Sequence, residues 1–150
     1  MMSDLGELYQ EILLEHNSRP KNFRQLEDAT ATADGFNPLC GDKITLYIKV
    51  EDDTVADVGF QGTGCAISRA SASMLTQSIK GQTVARAQEI FQAFHTMLTE
   101  PGAEPDYDTL GDLETLSGVI EFPTRIKCAV LAWHTMISAL NGSGDPVTTE

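Results

Sequence analysis

Between residues 43 and 64 the chain leaves itself few choices of backbone. Ile44-Thr45-Leu46-Tyr47-Ile48-Lys49-Val50 is rich in β-branched and aromatic residues and alternates in part, as a half-buried strand does. Glu51-Asp52-Asp53-Thr54 reads as a turn, and Val55 to Phe60 returns as a second strand. This pair predicts an antiparallel hairpin, stopped by Gly62-Thr63-Gly64, and Ala29 to Ala33 is a candidate edge strand. The segment from there to Cys40 reads as irregular.

The flanks carry helical periodicity. Ser3 is placed to cap a first helix whose stripe is Leu5, Leu8, Tyr9, Ile12 and Leu13, ending before Pro20. Cys65 to Leu75 opens a helix rich in small residues that Gly81 can close. Val84 to Leu98 repeats with Ala87, Ile90, Phe91 and Phe94 inward. After the polar loop from Pro101 to Asp108, which holds two prolines, Leu110, Leu113 and Leu116 predict a short amphipathic helix before Gly118. Pro123 suits the first position of a last helix with Ile126, Ala129, Val130, Trp133, Ile137 and Leu140 buried, stopped by Asn141-Gly142. Residues 1–141 are expected to form a single domain, with 142–150 as a disordered tail.

Composition removes several functional classes. A net charge of −12 argues against a nucleic-acid binder, which needs clustered Lys and Arg. It suits a basic protein partner better, the plain alternative being an acidic surface that only keeps the protein soluble. No apolar run reaches the roughly 18 residues of a membrane span, and the acidic N-terminus lacks the basic start of a secretory signal, so a cytoplasmic location is expected. The most basic island, Arg19, Lys21 and Arg24, lies in a turn-rich stretch whose plain reading is an ordinary loop.

Three cysteines in a reducing compartment favour metal or thiol chemistry over disulfides. Cys40-Gly41-Asp42 offers two ligands from one tight turn. Cys65 stands where a helix starts, so unpaired N–H groups favour its thiolate, and Cys128 lies little more than a turn beyond Pro123. Three thiolates and a carboxylate suit zinc or iron. The spacing contains no C-x-x-C pair and leaves the alternative open that one or two thiols are small buried hydrophobes. His134, six residues after Cys128, points away from it on a helix; His16 and His95 read as surface or satisfied polar residues. Arg125, three residues before Cys128, shares its face and can offset the site's negative charge, with Lys127 less well placed. The glycines from Gly59 to Gly64 lack the Lys-Ser/Thr of a phosphate loop and the third glycine of a dinucleotide fingerprint, and no histidine has the setting of a Cys–His hydrolase.

Four segments in order, Arg19-Pro20-Lys21-Asn22-Phe23, Asn37-Pro38-Leu39-Cys40-Gly41-Asp42, Gly62-Thr63-Gly64-Cys65-Ala66-Ile67-Ser68 and Phe122-Pro123-Thr124-Arg125-Ile126-Lys127-Cys128-Ala129, resemble the SufU branch of the IscU/NifU-like iron–sulfur cluster assembly family. The resemblance spans roughly residues 4–141. It implies an α+β fold, a small antiparallel β-sheet packed on one face by helices with a metal site at one end. It further implies zinc held by Cys40, Asp42, Cys65 and Cys128, and a zinc-dependent sulfurtransferase that takes persulfide sulfur onto Cys40 from the cysteine desulfurase SufS. A histidine of the desulfurase is expected to take a zinc position and free Cys40, and Arg125 to stand near the metal, pairing with Asp42 or a freed thiolate. The downstream recipient implied is a scaffold such as the SufBCD complex. Lys127 replaces the histidine that scaffold members carry before the third cysteine, and the span from Cys65 to Cys128 is longer than theirs. Both favour sulfur transfer over cluster building. The alternatives are a scaffold that assembles an iron–sulfur cluster on the same ligands and an interaction module with purely structural zinc.

Overall fold

A computed structural model describes residues 4–100, 102, 104, 106–142 and 146–148. Strands β1 (Ala31–Asn37), β2 (Asp42–Glu51) and β3 (Thr54–Thr63) form an antiparallel meander. In β2 the alternation is resolved as expected: Ile44, Leu46 and Ile48 are buried, while Thr45, Tyr47 and Lys49 line the other face. Asp52 and Asp53 make the two-residue turn, both at positive φ (51° and 61°). Turns of this hand match the twist of the strands, and short acidic side chains tolerate them better than β-branched ones. An irregularity at Lys49/Val50 leaves one extra residue in β3, so that Val55 and Val58, an odd number apart, are both buried.

The segment before Cys40, expected to be irregular beyond Ala33, continues as strand to Asn37. Ala33, Gly35 and Asn37 are buried and alternate with exposed Thr32, Asp34 and Phe36. Weak strand formers hide this period, and Gly35 is small for a packing reason: a Cβ there would lie 2.1 Å from Thr135 Oγ1. The expected disorder of 142–150 fails at Val147 and Thr148, which pair in parallel with Gly35 and Phe36 and give the sheet the order β3-β2-β1-β4. Pairing along the open edge of β1 outweighs the polar character of the tail.

The helices are α1 (Asp4–Ser18), α2 (Ala66–Ile79), α3 (Val84–Thr99), α4 (Tyr107–Leu110) and α5 (Pro123–Asn141). The caps proposed for the first helix and the loop prolines, Ser3, Pro101 and Pro105, lie outside the described residues. Gly81 and Gly142 follow α2 and α5 at φ 84° and 66°, as helix-ending glycines do. The short amphipathic helix expected before Gly118 is a 3-10 helix, Gly111–Glu121, that runs past that glycine. The reason is in the spacing: with three residues per turn, Leu110, Leu113, Leu116 and Val119 fall in line, and all four are buried.

Helices α2 and α5 cover the inner face of the sheet, and α3 and the 3-10 segment close over them. Trp133 packs on Phe94, with ring centroids 5.0 Å apart, and donates to Ser71 Oγ. Small residues let α2 run through this core, and Ser71 Oγ donates to Ala129 C=O. Among the described residues no helix is long and apolar enough to cross a membrane.

The basic island is a latch. Lys21 N–H donates to Ser73 Oγ (2.7 Å), Asn22 Nδ2 donates to Thr76 Oγ1 (2.9 Å), and Phe60 N–H donates to the Asn22 carbonyl (3.0 Å). His16, buried beneath it, meets Ser73 Oγ through Nδ1 at 2.7 Å. Arg24 forms a two-pronged pair with Asp57. These bonds tie the chain after α1 to α2 and β3.

Candidate metal centre

Asn37 and Asp42 are the last facing pair of the β1–β2 hairpin, so Pro38-Leu39-Cys40-Gly41 is a four-residue loop closed by them. Gly41 supplies the reversal at φ 71°. The arrangement divides the loop's chemistry. Asp42 begins β2 fully buried, whereas Cys40 is exposed beside Leu39.

Asp42 is held from two sides. Its Oδ1 accepts the Cys65 N–H at 2.8 Å and its Oδ2 accepts from Asn37 Nδ2 at 3.2 Å. Gly64 makes the first contact possible, because a Cβ there would lie 2.4 Å from Asp42 Oδ1. Cys65 caps α2 with extended backbone angles, and its Sγ accepts the Ser68 N–H at 3.4 Å. That places its sulfur at the positive end of the helix, 3.9 Å from Asp42 Oδ2.

Helix α5 starts at Pro123 and delivers Cys128 from the opposite side, buried, with Sγ 3.1 Å from Cys40 Sγ. Asn37 Nδ2 donates to the same Cys128 Sγ at 3.4 Å. One ligand atom each from Cys40, Asp42 and Cys128 lies within 4.8 Å of the others, close enough to share one ion. Cys65 joins this group through Asp42. Three loci far apart in sequence therefore meet at one end of the sheet.

The donor set fits a soft divalent cation. Burial, followed by contacts with Cys40, Asp42 and Cys65, pushes the Cys128 thiol far above its ordinary range. With protein groups alone, the Cys128 thiol packed against Cys40, Asp42 and Cys65 resists ionisation. A cation among them reverses that preference, since each anion then gains an opposite charge. The buried Asn37 Oδ1 has no protein hydrogen-bond partner, which is a further sign of an incompletely satisfied polar cluster.

The expected pairing of Arg125 with Asp42 is not made. Asp42 is buried and supplied by Asn37 and Cys65, whereas Arg125 is exposed, its guanidinium 5.2 Å from the centroid of Phe122. Stacking on the ring three residues earlier competes with reaching inward. His134 lies, as expected, away from Cys128: it packs against Phe91 and His95, with centroids 5.4 and 5.8 Å away. Sequence reasoning assigned Asn37 no task. The available signal was its place opposite Asp42, visible once β1 is extended to residue 37.

Residues 8–129 match the model of the NifU-like N-terminal domain. The chain is 42% identical over 134 residues to the zinc-dependent sulfurtransferase SufU of Bacillus subtilis, covering 89% of this chain and 90% of that protein. It is 37% identical over 144 residues to the iron–sulfur cluster assembly scaffold protein IscU of Streptococcus pyogenes, covering 96% and 89%. The crystal structure of a candidate SUF-system iron–sulfur cluster assembly scaffold protein from Fervidobacterium islandicum superposes with a TM-score of 0.82 at 34% identity, covering 89% of this chain and 97% of that one. A fold and a thiol–carboxylate cluster that agree with matches of this extent lead to one conclusion: the chain belongs to the family of NifU-like N-terminal domains, which includes SufU and IscU proteins.

Proposed function

We propose that this protein is a zinc-dependent sulfur acceptor and carrier in iron–sulfur cluster assembly, loaded on Cys40 by a cysteine desulfurase of the SufS type. The observation that carries the proposal is the asymmetry of the cluster: Cys40 is exposed on a short loop, while Asp42 and Cys128 are buried. Cys40, Asp42, Cys65 and Cys128 would hold the zinc. When bound, zinc supplies a positive charge that favours the thiolates and shields them from oxidation.

The chain's own groups divide the work. Cys40 is reachable by a donor without unpacking the core. Its thiolate attacks the outer sulfur of the donor's persulfide; the donor's S–S bond breaks, its cysteine leaves as thiolate, and the proton of the outer sulfur stays with the new Cys40 persulfide. Asp42 stays in place through Cys65 N–H and Asn37. Arg125, exposed on α5's first turn three residues before Cys128, is the cation this reading assigns to a charged sulfur species on Cys40. SufBCD-type scaffolds are the recipients this reading implies.

Zinc content and desulfurase-stimulated alanine release test the proposal. Cys40→Ala is expected to abolish stimulation; a variant that stimulates as wild type does would remove the role given to Cys40. The similarity to IscU favours a second reading, in which the same donors assemble a cluster. Anaerobic reconstitution with iron and sulfide separates the two, since only a scaffold yields a stable chromophore that moves to apo-ferredoxin.

A further inference from the structure

Asn37 is fully buried at the last pair of the hairpin, and its amide nitrogen faces two of the cluster's ligand atoms, Asp42 Oδ2 at 3.2 Å and Cys128 Sγ at 3.4 Å. An amide nitrogen carries two hydrogens, one for each. Turning the amide over would set its oxygen against a carboxylate oxygen and a sulfur, an arrangement of acceptors, so the two neighbours fix its orientation. Its Oδ1 meets no protein partner, although it is buried. Packing alone does not explain such a side chain: an apolar residue of equal size would fill the space without burying an amide oxygen that has no partner.

From this geometry we propose that Asn37 is a positioning residue for the metal centre, an amide clamp that binds the carboxylate of β2 to the thiolate of α5. The inference rests on the metal-site reading above. Cys40 receives no bond from Asn37 among the hydrogen bonds of the described residues, so the clamp acts on the buried half of the cluster only. It keeps Asp42 and Cys128 as a preassembled pair while Cys40 departs and returns. Two N–H groups aimed at anionic ligand atoms also offset part of the negative charge that three thiolates and a carboxylate bring together.

The test compares wild type with Asn37→Ala and Asn37→Leu, the latter keeping the volume and lacking both donors. Cobalt affinity is measured by competition with a chelator, alongside thermal unfolding of the metal-free proteins. Both variants are expected to bind cobalt about 10- to 100-fold more weakly, the range for lost outer-shell partners. A Leu variant within twofold of wild type overturns the proposal, whatever its melting temperature, because a packing role alone predicts that result. Cadmium-113 NMR of the wild type tests the same claim without a variant: the Asn37 side-chain N–H signal should be split by coupling to cadmium across the hydrogen bond to Cys128. An unsplit signal in the loaded protein contradicts the clamp. Wild type that takes up neither metal overturns the metal-site reading, and the clamp with it.

Discussion

Two loops meet the helices, one on α2 and one on Cys128 of α5, and they treat their polar atoms differently. The Lys21–Asn22 latch reaches Ser73 and Thr76 in the middle of the helix, where backbone N–H, amide and hydroxyl groups find protein partners within 2.7 to 3.0 Å. The Pro38–Gly41 loop brings Cys40 to Cys128 of α5 beside the Asp42–Cys65 contact at the start of α2; there sulfur meets sulfur, a buried carboxylate is pressed on thiols, and Asn37 Oδ1 and Ser68 Oγ are unpaired. The first is a finished structural joint. The second is completed only by something the chain does not contain. Buried polar groups left short of partners cost stability, so a fold that keeps them near three thiols is holding a place for a ligand.

That contrast is most sharply broken at Asp42. Asp42→Ala should lower zinc affinity by more than about 100-fold, beyond the loss typical of outer-shell changes, read as zinc stoichiometry after gel filtration. Near-wild-type stoichiometry would mean that the carboxylate is structural, like the latch. Gly64→Ala attacks the same group indirectly. The new Cβ, 2.4 Å from Asp42 Oδ1, must displace the carboxylate, so zinc affinity should fall about tenfold and the metal-free protein should lose about 1–3 kcal/mol in urea unfolding.

The latch should respond in the opposite pattern. Thr76→Val removes the acceptor of Asn22 Nδ2 and the hydroxyl bond to Ser73 C=O, so about 1–2 kcal/mol of stability should go with zinc affinity unchanged. A simultaneous loss of zinc would show that α2 couples the two loops. The smallest effect is a pH slope. Burial holds His16 below its ordinary value of 6.5, so the folded protein keeps it neutral where the unfolded chain takes up a proton. Stability should therefore fall as pH drops below 6.5 and be unaffected above it. His134 is lowered likewise, by burial and then by His95. His16→Gln should make urea midpoints less steep between about pH 5 and 6.5 and leave them parallel to wild type above.

The comparison also separates what a sequence displays from what only a fold reveals. Strand β2 was legible because Ile44, Leu46 and Ile48 alternate with polar neighbours over one continuous run. Strand β1 was not, because Gly35 and Asn37 occupy its buried positions for reasons outside the strand: α5 crosses at one, and Asp42 and Cys128 are met at the other. The leucines at 110, 113 and 116 showed a short amphipathic helix but not its kind, since over so few residues periods of 3 and 3.6 nearly coincide. At the metal centre the residue types and their helix-start settings pointed to ligands, and the family resemblance supplied the set of four. Their convergence was beyond spacing, since the members come from a hairpin loop, a helix cap and the second turn of another helix. Arg125 shows the limit of helical geometry: it shares a helix face with Cys128 by count, yet Phe122 offers its guanidinium an exposed ring.

In the proposed sulfur transfer Cys40 is the sulfur that works while its neighbours stay. Incubation of the zinc-loaded protein with a SufS-type desulfurase and cysteine, followed by intact-mass and peptide mass spectrometry, addresses this most directly. The expected product carries added sulfur on Cys40, absent in Cys40→Ala, with Cys65 and Cys128 unmodified. Sulfur on Cys65 or Cys128 with Cys40 free, or no adduct on a protein that retains its zinc, would contradict it.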